Sequence, residues 1–173
     1  MSPNYLYFET ERLIIRPTNI DDAEFIFDLL NSPKWIQNIG DRNIKSIKDA
    51  ANYIATKMRP QLEKLGYSNN TVILKSTNTK IGTCGLYDRE GLEGVDIGFA
   101  FLPNYEKQGF ALESCKEIVR AAKENFKLNA LNAITLPSNH DSQHLLIKLG
   151  FIFTQMVRIP NDEEELMLFQ KKL

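Results

Sequence analysis

Hydrophobic residues recur along this chain with two periods, and the switches between them mark its elements. Residues 12–16 (RLIIR) read as a short strand closed by Pro17. Thr18 then stands where it can cap a helix in which Ile20, Ala23, Ile26, Phe27 and Leu30 fall on one side, ending before Pro33. Ser46, with Asp49 three residues on, resembles a capping box with Asp in place of Glu. It opens a second helix whose apolar face is Ile47, Ala50, Ile54, Met58, Leu62 and Leu65. Pro60 is expected to kink or interrupt that helix, and Gly66 suits its end.

Alternation then takes over. Three strands are expected at 71–75, 80–87 and 95–101, the first two joined by a tight hairpin through Thr77, Asn78 and Thr79. Gly109 opens a strongly amphipathic helix with Ala111, Cys115, Ile118, Ala122 and Phe126 at spacings of three and four. A strand at 131–136 follows, then a short helix at about 141–149 with Gly150 as its natural terminator. Strands at 151–157 and 166–171 finish the chain as an antiparallel pair. The order β-α-α-β-β-β-α-β-α-β-β contains one βαβ unit, and its helical crossover demands parallel strands. The hairpins demand antiparallel ones. The fold class is therefore α/β, equally describable as α+β, with a mixed, mostly antiparallel sheet and flanking helices.

Composition narrows the function. A length of 173 residues fits one domain with a real core, and no repeat or low-complexity linker divides it. The net charge of −1 argues against a partner bound by phosphate neutralisation, so no nucleic acid is expected. The acidic run 162–165 reads as a solvated turn. Cys84 and Cys115 lie in apolar segments without zinc spacing or a disulfide framework, and read as core residues in a reducing compartment. The first ten residues lack signal-peptide features, and no uncharged run approaches membrane-spanning length. A cytoplasmic location with no membrane partner is the expectation.

The chemistry concentrates at 96–114, DIGFAFLPNYEKQGFALES. A strand runs into a turn holding Lys107, Gln108 and Gly109, and the turn feeds a helix N-terminus. The first N–H groups of a helix lack intrahelical acceptors and carry positive potential, which suits a diphosphate. Alone, a Gly before a helix is usually only a turn. This segment, however, resembles the cofactor-binding motif of the GNAT superfamily of acetyl-CoA-dependent N-acetyltransferases. Within it, the closer likeness is to the Rim-type ribosomal-protein N-terminal acetyltransferases, which read E-I-G-Y-x-L-x-P-x-Y-W-G-K-G-Y-A-x-E-A. The looser pattern Q/R-x-x-G-x-G/A falls on Glu106-Lys107-Gln108-Gly109-Phe110-Ala111, with Glu106 where Gln or Arg is usual. A second segment is similar to N-x-x-S/A-x-x-L-x-x-K-L-G-F, with Asn139, Ser142, Leu145, Lys148, Leu149, Gly150 and Phe151 in register. Thr10 to Pro17 (TERLIIRP) is similar to the branch's opening strand.

The resemblance implies a single N-acetyltransferase domain over 1–173. Residues of about 10–66 would form the acceptor side and about 95–157 the acetyl-CoA-binding part. It implies that backbone groups at Phe99 and Phe101 hold the pantetheine and the thioester oxygen. Lys107, Gln108, Gly109, Phe110, Ala111 and Leu112 would hold the diphosphate, and Asn139 a pantetheine amide. Asp96 stands on the strand where the branch often has Glu, as a candidate base, with a structural hydrogen bond as the other reading. The usual Tyr acid is replaced by Leu146, which leaves Ser142 as the candidate partner for the leaving thiolate. Trp35 lies between the first two helices, where it either shapes an acceptor pocket or simply packs. His140 and His144 lack a third ligand and read as solvated, so no metal is expected. The implied partner is a primary amine, on a protein N-terminus or a small molecule, and the implied state a monomer or homodimer. A non-catalytic acyl-CoA-binding or sensor module of the same fold is the rival reading.

Overall fold

In the computed structural model, which describes residues 4–160 and 162–173, eight strands share one sheet. They are β1 (Phe8–Glu9), β2 (Leu13–Pro17), β3 (Asn69–Leu74), β4 (Thr79–Asp88), β5 (Val95–Phe101), β6 (Ala130–Thr135), β7 (Ile152–Val157) and β8 (Leu166–Lys172). Their spatial order is β1-β2-β3-β4-β5-β6-β8-β7. Every neighbouring pair among the described residues is antiparallel except β5 with β6, the pair joined by the crossover helix. The helices are α1 (Ala23–Leu30), α2 (Pro33–Asn38), α3 (Ile47–Tyr53), α4 (Arg59–Leu65), α5 (Phe110–Glu124) and α6 (His140–Lys148).

Strand alternation sends successive side chains to opposite faces, so the sheet carries two cores. Ile97, Phe99 and Phe101 of β5 join the larger one, with Leu13, Ile15 and Ile81 from the sheet, Ile118 from α5 and Leu146 from α6. Ala100 packs instead with Ile26, Leu29 and Leu30 of α1 and Ala50 of α3. The stripe on α5 thus meets one face, and α1 with α3 the other.

Local chemistry departs from the sequence reading in three places. Asn19, not Thr18, caps the first helix: its side chain accepts from the Asp21 N–H at 2.9 Å, and the first turn, Ile20–Asp22, is 3₁₀. The Thr18 hydroxyl bonds that of Thr71 at 2.9 Å. Pro33 both ends the loop after α1 and starts α2 at its first turn, a role proline favours. The long second helix is interrupted near Pro60 as expected, by a π turn at Ile54–Met58 that absorbs the N–H missing there. Ile20 and Ile47, assigned to buried faces, are the first residues of their elements and are exposed, because the chain there has not yet turned onto the core. Gly66 (φ 81°) ends α4 as expected. The Cys84 and Cys115 thiols are free and fully buried, 3.6 Å apart between β4 and α5.

One buried charge ties α1 to the sheet. Asp22 is fully buried and accepts from Arg16 Nη1 and Nη2 at 2.7 and 2.8 Å, Thr71 Oγ1 at 3.0 Å and the Asn19 N–H at 3.0 Å. Lys80 Nζ stands 2.8 Å away. Burial opposes its ionisation, but these donors outweigh burial and hold the carboxyl at about 2 instead of 3.8. A carboxyl depressed in the folded state stabilises the fold above its unfolded pKa and stops doing so as pH falls through the folded value. Stability is therefore expected to fall between pH 4 and pH about 2 as this network is lost. Asp22→Asn leaves two cations short of their partner and should cost about 3 kcal/mol in urea unfolding at pH 7. It should also flatten the acid dependence over that window; an unchanged acid slope would assign it to other carboxylates.

Candidate functional site

The parallel ladder between β5 and β6 is confined to one pair, Asp96 with Asn132. β5 then runs on to Phe101 and β6 to Thr135 with no further pairing between them. Each strand is held on its other side, β5 by β4 and β6 by β8. The two facing backbone edges beyond the single pair therefore present donors and acceptors that an intact sheet would have satisfied. Phe99 and Phe101 lie on one edge. Their side chains go to the core, Phe101 buried and Phe99 partly so, which leaves the main chain as their contribution to the opening.

The expected turn sits at the end of β5. Pro103–Tyr105 forms a 3₁₀ turn, Lys107 and Gly109 take positive φ (58° and 84°), and α5 begins at Phe110. Glu113 is the first residue of this region whose N–H returns to the helix, bonding Gly109 O at 3.0 Å. Among the described residues, the backbone N–H groups of 107–112 donate no hydrogen bond. Lys107, Gln108 and Gly109 are exposed, Ala111 and Leu112 half-buried, and the Phe110 ring is buried beneath. This is an anion-binding geometry: free donors at the positive end of a 15-residue helix.

A clamp from the other end of the chain sets the shape of that turn. Glu113 Oε1 accepts from the Thr10 hydroxyl at 2.6 Å and the Arg12 N–H at 3.0 Å, and Oε2 from Arg12 Nε at 2.7 Å. Arg12 Nη1 donates to Gln108 O at 3.0 Å, and the guanidinium lies 4.4 Å from the Phe110 ring centre. Burial works against the Glu113 charge, yet the Thr10 and Arg12 donors outweigh it and hold the carboxyl below its usual range. Turning the Gln108 carbonyl toward Arg12 keeps that acceptor engaged away from the free donors. Sequence reading found both segments as motifs but not that they meet.

α6 borders the opening from the β6 side. Asn139 caps it, its Oδ1 accepting from the Ser142 N–H at 3.2 Å. That leaves the Asn139 amide nitrogen without a partner among the described residues. Ser142 is half-buried, and its hydroxyl makes no hydrogen bond among the described residues, so it is not a local cap. Leu146 is buried in the main core, and the exposed His140 and His144 lie outside it. Thr135, which the sequence reading passed over, is buried with its hydroxyl unpartnered among the described residues. The register of the one ladder pair sets it level with Phe99 across the opening.

Asp96 sits at the closed end. It is 1% exposed, and Arg89 engages both its oxygens, Nε and Nη2 each at 3.2 Å. Burial raises its pKa, and Arg89 counters part of that rise. On the face of β5 that carries Ala100, Trp35 packs against the α1–α3 core, and its indole N–H is buried without a partner among the described residues. Nearby, Gln37, Ser138, Met156, Glu164 and Glu165 border an open groove of about 470 Å³. Lys34 of α2 pairs with Glu106, and Asp141 Oδ2 lies 3.9 Å from the same ammonium.

One parallel pair that ends early, a crossover helix with free N-terminal donors, and a short capped helix beside them make up the candidate site. An acetyltransferase (GNAT) domain matches residues 12–152, and the chain belongs to this family: it is an acetyltransferase. It is 30% identical over 144 residues to the uncharacterized N-acetyltransferase YoaA of Bacillus subtilis (strain 168), covering 83% of this chain and 81% of that protein. A GNAT-family acetyltransferase from Bacillus anthracis superposes with a TM-score of 0.79 at 22% identity, over 96% of this chain and 98% of that one. The ribosomal L7/L12 alpha-N-protein acetyltransferase RimL, in complex with coenzyme A, superposes with a TM-score of 0.77 at 12% identity, over 97% and 98%.

The clamp makes a checkable claim about the turn. Glu113→Ala removes the acceptor of three donors, one of them charged, and such bonds are worth about 1.5–3 kcal/mol. Hydrogen exchange at the amides of 113–116 should accelerate about tenfold or more while β3 and β4 keep their protection. Equal protection in the variant would mean that α5 holds its first turn without the clamp.

Proposed function

We propose that the chain transfers the acetyl group of acetyl-CoA to a primary amine by direct attack within a ternary complex. The observation that carries this reading is the unpaired stretch between β5 and β6, which opens next to a turn with free helix N-terminal donors. A pantetheine arm is itself an amide chain. Laid between the strands, it supplies the partners the ladder lacks, while its diphosphate takes the N–H groups of 107–112. The backbone near Phe99 and Phe101 then holds the thioester and donates to its oxygen. A preorganised donor of that kind is worth about 10²–10³ in rate. The Asn139 amide nitrogen is free to reach the arm.

In the reaction the neutral amine attacks the thioester carbon and forms the tetrahedral oxyanion. The C–S bond then breaks, the amine's proton passes to water, and CoA leaves as the thiolate. An amine of pKa ~10.4 is neutral in only about one molecule in 2,500 at pH 7, so proton removal matters. The sequence offered Asp96 as base. Its two oxygens on Arg89, and its place at the closed end of the opening, favour the other reading: the carboxylate anchors the strand pair, and water takes the proton. Ser142, with its hydroxyl unengaged, hydrogen-bonds the leaving sulfur.

The acceptor is a primary amine, and the groove edged by Glu164 and Glu165 suits one that arrives as an ammonium. Likeness to the Rim-type motif favours a protein N-terminus over a small molecule. Trp35 packs against the α1–α3 core and so supports α2, which brings Gln37 to the groove. Two free buried thiols suit a reducing compartment, in keeping with a cytoplasmic enzyme.

Calorimetry with CoA, acetyl-CoA and ATP tests the donor: both thiol cofactors should bind and ATP should bind far more weakly. Equal or tighter ATP binding would remove the reading. Acetylation of N-terminal peptides, polyamines and aminoglycosides with release of free thiol then sorts the acceptors.

Ser142→Ala should lower kcat about 10–150-fold, the worth of a hydrogen bond to a developing anion, with acetyl-CoA affinity nearly intact. In the same pH series, Asp96→Asn should show a defect that is constant with pH. A defect that shrinks as the acceptor deprotonates itself would restore Asp96 as the base, and a wild-type rate for Ser142→Ala would remove the serine from the reaction.

A further inference from the structure

The turn that faces the cofactor contains an apparent fault. Glu106 begins it where related turns carry Gln or Arg, and a bare carboxylate there would repel a diphosphate. The structure supplies an answer in α2, a helix the sequence reading did not contain. Lys34 projects from its first turn and pairs with Glu106. The same ammonium stands 3.9 Å from Asp141, in the first turn of α6 and next to Ser142. One lysine thus touches acidic groups on both helix entrances that flank the unpaired strands.

We propose that Lys34 is a positioning residue for the cofactor. It neutralises Glu106 and draws that carboxylate toward α2, so that the turn can accept a diphosphate despite its acidic first position. This rests on the acetyl-CoA reading given above. Lys34 acts through Glu106 and not by touching the ligand, which gives the proposal a signature that a direct contact lacks. Losing Lys34 matters only while Glu106 is charged.

The test is a double-mutant cycle read by CoA calorimetry at low ionic strength. Lys34→Ala should weaken CoA binding about three- to tenfold, the size of one unit charge acting on a phosphate near a solvated surface. Glu106→Gln should bind CoA as well as the wild type or better. The double variant Lys34→Ala/Glu106→Gln should match Glu106→Gln within about twofold, and the defect of Lys34→Ala should shrink as salt rises. With saturating acetyl-CoA, kcat should be unchanged in all three, because the effect falls on cofactor KM.

Wild-type affinity in Lys34→Ala overturns the proposal. So does a double variant as weak as Lys34→Ala, which would make Lys34 a direct phosphate ligand. Failure of the wild type itself to bind CoA is a different result, and it removes the acetyl-CoA reading on which this one stands. Glu106→Gln keeps the shape of the side chain, so it stays informative even if Lys34→Ala perturbs α2.

Discussion

The site depends on one ladder that stops after a single pair. Parallel strands joined by a helical crossover ordinarily share several bridges, yet β5 and β6 share only Asp96 with Asn132. The strands cannot simply drift back together, because β4 and β8 hold their outer edges in long antiparallel registers. The main chain left unpaired at Gly98 to Ala100 is half-buried, so the opening persists as a demand for hydrogen-bond partners. The buried hydroxyl of Thr135 on the same level, unpartnered among the described residues, adds to that demand.

Charge is used in three different ways in this fold. Asp22 is fully buried and surrounded by Arg16, Lys80, Thr71 and the Asn19 N–H, so its work is to fasten α1 to β2, β3 and β4. Glu113 is partly exposed and ties the start of α5 to the segment that leads into β2. Its donors come from Thr10 and Arg12, and the result is a fixed turn in front of α5. Lys34 with Glu106 is more exposed still, a pair open to solvent beside the turn before α5. The three networks thus run from architecture, through shape, to affinity.

Most of the architecture was legible because it follows from periodicity. The α5 stripe, the alternating strands and the crossover that makes β5 and β6 parallel each depend on local pattern, and each is present. The misses have local physical causes. Asn19 and Thr18 are adjacent capping residues, and only the pairing of Thr18 with Thr71 decides between them. The two-residue β1 has too few positions for a pattern, and α2 has no buried residue to give it a stripe. At the site, the motif positions were visible but their partners were not. Arg89 on Asp96, Arg12 on Glu113 and Lys34 on Glu106 are contacts between segments, and no spacing along the chain encodes them.

The clamp on α5 carries a consequence for how the protein is made. Thr10 and Arg12 lie 103 and 101 positions from Glu113 along the chain, so their bonds close one of the longest loops in the fold. Loop-closure entropy has to be met before such contacts return anything, and contacts of this span form slowly. The segment from β5 to α5 therefore holds the motif without the geometry until the N-terminal strand has docked. Excised as a peptide it would keep every residue of the pattern and lose the shape. The working turn is a product of global folding, and its integrity reports on the whole domain.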